Sequence, residues 1–371
     1  MSEWAAIGWV ATLTAAACSL AGALLVVRRM AMTADAISHA VLPGLVAAYA
    51  LAFGPNLGWG IVGGIAAGLG TTAAIEALVR TGRLKDDSAI GIVFPAMFAL
   101  GVVLITRFFS NVHLDADAVL FGEIVLAPFD TLVMGGRDLG PMGIWAGAAL
   151  IVLNLAVSLS LWKEIKLTTF DPEHARLVGV RPRAIQYVIA SLTAVTAVVA
   201  FSSVGAILVV ALMIVPAAAA QLLTVRLGAL MAVAVVLGMT GGWLGFSLAR
   251  VGDVSVSGMI AVALGGLFAL AYLFSPRAGL VAKLKRQRDQ QRSFDVDVVV
   301  MHLAQHEGTA REEEEATLAH LAEILGTRRT AAETVVRRAL DGRLVTQQQG
   351  SLRLTEAGRE RARRLAAQIG A

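Results

Sequence analysis

The sequence of 371 residues has one cysteine, few charged residues and no lysine directly after a glycine. A single cysteine, Cys18, excludes an internal disulfide and a cysteine-rich metal site. Without a Gly-Lys step there is no G-x-x-x-x-G-K-[ST] phosphate loop, so ATP is not hydrolysed by a site of that kind. The N-terminus has no basic stretch before its first apolar run, so we expect that run to be a retained helix rather than a secretory signal.

Apolar residues dominate the composition. They make up 57% of the chain against 16% charged residues, and the mean hydropathy is +0.72, which is typical of a polytopic membrane protein. Charges are sparse up to Pro276 and dense from Arg277 onward. We therefore predict a transmembrane domain over residues 1–276, a basic cytoplasmic linker over 277–293 and a small cytoplasmic domain over 294–371.

Nine apolar runs approach the length of about 20 residues that a bilayer-crossing helix needs. The predicted fold is an all-α polytopic membrane bundle of about 8–9 transmembrane helices, with a small α+β domain behind it. All lysines fall on one side of this bundle, so the positive-inside rule places the C-terminal domain in the cytoplasm. Pro43, Pro95 and Pro216 fall inside predicted spans. Gly63, Gly64, Gly68 and Gly70 are interpreted as helix-packing positions.

One pair of ionisable residues lies inside an apolar run. Asp35 and His39 are four residues apart, and on a helix they share one face. Ionisable groups at membrane depth commonly mark a transport path, and a carboxylate with an imidazole is a suitable ligand pair for a divalent metal. The alternative is a hydrogen bond between the two that serves helix packing alone.

A second pattern lies in the polar segment 163–183, which the charge rule places in the cytoplasm. Asp171 is a suitable helix cap, Pro172 suits the first helical position and Glu173 favours the positive end of the helix dipole. Gly179 is suited to closing the helix. The segment therefore predicts a short helix that begins near Asp171 and ends near Gly179.

Six segments in order resemble the permease subunits of ABC importers for zinc, manganese and iron(II). They are residues 35–44, 86–101, 120–122, 170–179, 204–218 and 245–253, and together they cover roughly residues 5–275. The resemblance implies a permease in a bacterial cell membrane, paired with a second copy or a second permease. It implies a separate cytoplasmic ATPase and an extracellular metal-binding protein, with no permanently bound cofactor.

The resemblance also implies roles for particular residues. It associates Asp35 and His39 with the path of the transported metal. It makes the short helix in segment 163–183 the coupling helix that docks into the ATPase, through Asp171, Pro172, Glu173, Ala175 and Gly179. Two alternatives stay open: a membrane-anchored, metal-responsive transcriptional regulator, and a permease for a larger metal chelate.

The C-terminal domain is predicted to have helices over 294–306, 312–325 and 331–340, then two strands and a closing helix over 356–369. This order, with the phrase Leu-Arg-Leu-Thr-Glu-Ala-Gly at 352–358, resembles the winged-helix domain of metal-dependent repressors. Arginines that would contact DNA or a regulatory partner are Arg328, Arg329, Arg337 and Arg338. Because residues 283–371 hold 16 basic and 13 acidic residues, we favour a regulatory or dimerisation role over DNA binding. His302, His306 and His320 match no established ligand spacing and are interpreted as surface histidines, with metal sensing as the alternative.

Overall fold

The computed structural model describes residues 2–52, 57–108, 124–134, 137–309, 312–326, 329–348 and 351–369. The chain forms two compact units, Met1–Gly279 and Leu280–Ala371. Each unit has its own hydrophobic core.

As far as its residues are described, the first unit is a helical bundle with one short hairpin. Its elements, in chain order, are α1 Glu3–Val27, α2 Ala31–Leu51, α3 Leu57–Arg80, α4 Asp86–Phe108, strands β1 Thr131–Met134 and β2 Arg137–Pro141, α5 Met142–Ser160, α6 Trp162–Phe170, α7 Pro172–Leu177, α8 Pro182–Val204, α9 Ala206–Leu223, α10 Leu227–Gly252 and α11 Val256–Phe274. The antiparallel pair β1–β2 was not foreseen from the sequence.

Seven of the described helices are long and apolar enough to cross a membrane: α1, α3, α4, α5, α8, α10 and α11. The predicted second and seventh spans correspond to shorter apolar helical segments, Leu42–Leu51 in α2 and Ile207–Leu223 in α9. The first unit is therefore a polytopic helical membrane bundle, while the count of about 8–9 spans stays a prediction. The helices α2, α4 and α9 continue through Pro43, Pro95 and Pro216.

Helix α1 forms the centre of the bundle. It packs against α5, α8, α9 and α10 and is buried along most of its length, as expected of a helix that is apolar on every face. Its crossing with α9 is close because Gly22 has no side chain; a Cβ there would overlap the carbonyl of Met213. Nearby, the Ser19 hydroxyl donates to the Leu212 carbonyl oxygen at 3.3 Å.

In the second unit the described residues form five helices and a hairpin: α12 Leu280–His306, α13 Glu312–Glu315, α14 Leu318–Ile324, α15 Arg329–Asp341, β3 Val345–Gln348, β4 Ser351–Leu354 and α16 Glu356–Ile369. The strands β3 and β4 pair antiparallel, and α16 has the bounds that the sequence predicts. Two details differ from the prediction. The basic segment is helical from Leu280 onward, and the helix predicted over 312–325 is interrupted at Ala316 and Thr317.

Candidate functional site

The two residues of the predicted metal path lie on α2, one turn apart. The Asp35 side chain is half-buried, and the neighbouring Ala36 is fully buried against Ile75 of α3 and Ala89 of α4. The side chain of His39 lies outside the described part of the structure. The geometry therefore places Asp35 where α3 ends and α4 begins.

Helices α2 and α4 run alongside each other through two of the six recognised segments. A Cβ on Gly101 of α4 would lie 3.1 Å from Leu42 Cδ2 and from Pro43 Cδ of α2. The absence of a side chain at Gly101 lets α4 approach the proline in α2 closely. Segments 35–44 and 86–101, which are far apart in the chain, thus form one packed unit.

The short helix predicted in segment 163–183 is present as α7. The backbone N–H of His174 donates to Asp171 Oδ1 at 2.9 Å, and Pro172 occupies the first helical position. At the other end Val180 N donates to Ala175 O at 2.9 Å, and Gly179 has a φ of +84°, the left-handed conformation that favours glycine. The predicted cap, first residue and closing glycine of this helix are confirmed.

The surface of α7 combines a buried alanine with an exposed apolar residue. Ala175 is completely buried, whereas 85% of Leu177 is exposed. Beside it lies an open groove of about 720 Å³, lined by Arg176 and residues 179–184. The exposed apolar tip of α7 therefore lies next to a basic groove.

Arg28, which follows α1, forms hydrogen bonds to the first part of segment 163–183. Its guanidinium donates to Thr168 Oγ1 at 2.5 Å and to the carbonyl oxygen of Ile165 at 3.4 Å. Thr168 and Ile165 are both buried on α6. The central helix α1 is therefore linked directly to the helix that precedes α7.

Glu76 of α3 forms an ion pair with Arg183, at the end of segment 163–183. Arg183 Nε lies 3.0 Å from Glu76 Oε1, and the Tyr187 hydroxyl donates to Glu76 Oε2 at 2.8 Å. Arg80 on the same helix completes the group at 2.7 Å. Since only 17% of the Glu76 side chain is exposed, this carboxylate joins α3 to the first turns of α8. Sequence reasoning missed both Glu76 and the role of Arg28; the only local signal was a carboxylate in an apolar helix, four residues before an arginine.

Three of the four arginines that were predicted to contact DNA or a regulatory partner belong to the described residues, and all three lie on α15. Arg329 and Arg337 are exposed and Arg338 is half-buried, while Arg328 lies outside the described residues. The opposite face of α15 buries Ala332, Val335, Val336 and Ala339. Helix α15 therefore packs its apolar face into the core of the second unit and exposes these arginines on the other face.

Comparison with known proteins gives the family of the first unit. Residues 4–275 match the ABC 3 transport family. This chain belongs to that family. The match covers the whole helical bundle, including segments 35–44 and 163–183, and it makes the chain a multi-pass membrane permease.

Two relatives are each 40% identical to this chain over the aligned residues. The zinc transport system membrane protein TroD of Treponema pallidum matches over 349 residues, 94% of this chain and 95% of that protein. The manganese transport system membrane protein MntD of Bacillus subtilis matches over 280 residues, 76% of this chain and 95% of that protein. The match to TroD is the longer one and reaches into the second unit.

A solved structure has the same fold. PsaBC from Streptococcus pneumoniae, in complex with a Fab, is 27% identical, has a TM-score of 0.63, and covers 77% of this chain and 96% of its own. The likeness extends over most of the described bundle.

Proposed function

We propose that this protein is the membrane permease subunit of an ABC importer that brings a divalent transition metal, zinc, manganese or iron(II), into a bacterial cell. The observation that carries the proposal is the family match over residues 4–275, together with relatives named for zinc and manganese transport. ATP is hydrolysed by a separate subunit, since this sequence has no phosphate loop. An extracellular binding protein delivers the metal.

The transported metal passes along α2, at Asp35 and His39. Two ligands leave a coordination shell incomplete, so we propose that a second permease, identical or related, supplies further ligands at a shared axis. Asp35 is half-buried and directly precedes Ala36, which packs against α3 and α4; this supports a position at a junction of helices. Alternating access exposes this pair first to the outside and then to the cytoplasm. A larger chelate as cargo requires a wide cavity without convergent ligands, which this ligand pair disfavours.

Segment 163–183 is proposed to be the cytoplasmic coupling element. Its helix α7 presents Leu177 and the groove at Arg176 to the ATPase. Its two anchors, Arg28 on the α1 side and Glu76 on α3, carry the motion of the docked helix to two parts of the bundle. Asp171, Pro172, Glu173, Ala175 and Gly179 keep the helix in its docking shape.

The second unit is proposed to be a cytoplasmic winged-helix module with a regulatory or dimerisation role. The order α12 to α16, with the β3–β4 hairpin between α15 and α16, supports this assignment. Nothing favours DNA as a partner over this role, because a membrane-tethered domain with a small net charge reaches chromosomal DNA poorly.

The test is metal uptake by cells that lack their own high-affinity transporters and express this chain with its ATPase and binding protein. Asp35→Asn and His39→Ala are expected to reduce the uptake of radioactive zinc or manganese by at least about tenfold each, since each removes a ligand. Asp87→Asn, an exposed carboxylate on α4, is the matched control and should transport normally. Uptake that survives both α2 substitutions would refute the metal path proposed here.

A further inference from the structure

Three histidine rings converge in the second unit. His302 and His306 lie one turn apart on α12, and their ring centroids are 4.6 Å apart. His320 comes from α14, and its ring centroid lies 5.4 Å from that of His302. Residues from two different helices are thus brought together. The interpretation of all three as surface histidines is wrong for His302, because only 12% of its side chain is exposed.

A carboxylate closes this group. Glu315, the last residue of α13, places Oε2 3.3 Å from His302 Nε2, and the same oxygen pairs with His320 Nε2. Only 14% of the Glu315 side chain is exposed. One nitrogen each from His302 and His306 and one oxygen of Glu315 all lie within 4.8 Å of one another.

One ring nitrogen of the group makes no well-formed hydrogen bond, although it lies near the Glu315 carboxylate. His302 Nε2 is buried and makes no hydrogen bond of good geometry to any residue that the structure describes. A buried polar atom without a partner costs free energy, commonly about 1–3 kcal/mol, and in native proteins calls for an explanation.

We propose that His302, His306 and Glu315, with His320 as fourth ligand, form a binding site for a zinc-like divalent ion. Three imidazole nitrogens and one carboxylate oxygen suit zinc, whereas manganese prefers sites richer in oxygen. In a tetrahedral zinc site the ligand atoms lie about 3.3 Å apart, so the atoms of His302, His306 and Glu315, which lie within 4.8 Å of one another, have to move closer when the ion binds. The bound ion satisfies His302 Nε2.

The surrounding backbone is suited to hold such a site. Thr317 caps α14 by accepting from His320 N at 3.4 Å, which fixes the first turn that carries His320. Leu352 N of β4 donates to Ala316 O at 3.2 Å, directly after Glu315. An ion at this site therefore links α12, the α13–α14 corner and the hairpin.

This proposal does not depend on the metal path in the membrane. The two sites share no residue, and a failure of either leaves the other standing. The competing explanation is a structural network of histidine and glutamate that holds no metal.

The experiment uses the full-length protein, purified in detergent without metal and titrated with Zn²⁺ against a chromophoric chelator. His306→Ala and Glu315→Gln are compared with Gln305→Ala and Glu314→Gln, which are exposed neighbours of the two ligands. We expect each ligand variant to weaken one Zn²⁺ site per chain by at least about tenfold, and each control to bind as the parent does. Equal number and affinity of sites in all five proteins would overturn the proposal.

A second measurement tests the site without changing any of its ligands, so it remains valid if the ligand variants do not fold. X-ray absorption at the zinc edge is recorded on a chain that carries Asp35→Asn and His39→Ala but keeps the second unit intact. The proposal requires at least two imidazole ligands at about 2.0 Å from the zinc. Bound zinc with only water and carboxylate oxygens, or no bound zinc at all, overturns it.

Discussion

Gly44 of α2 and Gly63 of α3 face each other where the two helices cross, and a Cβ on either residue would overlap the carbonyl oxygen of the other. The contact is reciprocal, so neither residue can gain a side chain unless the helices separate. It lies on the same helix as Asp35 and therefore helps to set the position of that carboxylate.

Gly44→Ala and Gly63→Ala are each expected to push α2 and α3 apart. We expect a loss of about 1–3 kcal/mol in the free energy of unfolding and a lower melting temperature in detergent. Gly70→Ala on α3 is the matched control, since a Cβ there meets nothing within 4 Å and alanine is the better helix former. A melting temperature that is the same for all three variants would contradict the close crossing.

Glu76→Gln removes the carboxylate charge that pairs with Arg80 and Arg183 and accepts a hydrogen bond from the Tyr187 hydroxyl. Because Arg80 and Arg183 are more than half exposed, the expected loss of stability is modest, about 1–2 kcal/mol. The informative measurement is the ratio of metal transported to ATP hydrolysed in the assembled transporter, which we expect to fall. Glu173→Gln, which breaks an exposed pair with Arg176, should lose less than about 0.5 kcal/mol of stability.

Leu177→Asp places a charge at the exposed tip of α7. If this tip enters an apolar part of the ATPase, the affinity for that subunit should fall by at least about tenfold, as measured by co-purification at several concentrations. Val251→Asp is the control, because Val251 is equally exposed, at 88%, but lies at the end of α10. Equal loss of the ATPase from both variants would indicate a general effect on the protein.

Gly179→Ala forces an alanine into a left-handed backbone with a φ of +84°. The expected cost is about 1–2 kcal/mol, and it falls on the turn that closes α7 rather than on the bundle. We expect weaker ATPase binding with little change in the thermal unfolding of the bundle. Gly266→Ala on α11, where a Cβ is unhindered, should leave ATPase binding as it was.

Local patterns predict the local parts of this molecule well. The cap at Asp171, the glycine closure at Gly179 and the bounds of α16 follow from signals within a few residues, and Gly63 is a packing position as expected. Gly70 was given the same role, yet a Cβ there meets nothing, because a glycine in an apolar helix does not reveal which face it occupies.

The parts that the sequence did not reveal depend on contacts between distant residues. Glu76 and Tyr187 are 111 positions apart, and His302 and His320 meet only through the packing of α12 on the α13–α14 corner. Neither pair has a spacing that points to the other. The β1–β2 hairpin was missed for a different reason: neither strand alternates apolar and polar residues, and β2 contains a glycine and a proline, which are uncommon in strands.

The central position of α1 has a consequence for biosynthesis. This helix is synthesised before its main partners α5, α8, α9 and α10, which follow only after α4 is complete. Until they arrive, its small polar residues and the fully buried Cys18 face lipid or the insertion machinery instead of protein. The core of the bundle can therefore close around α1, and bury Cys18, only after these later helices have been made.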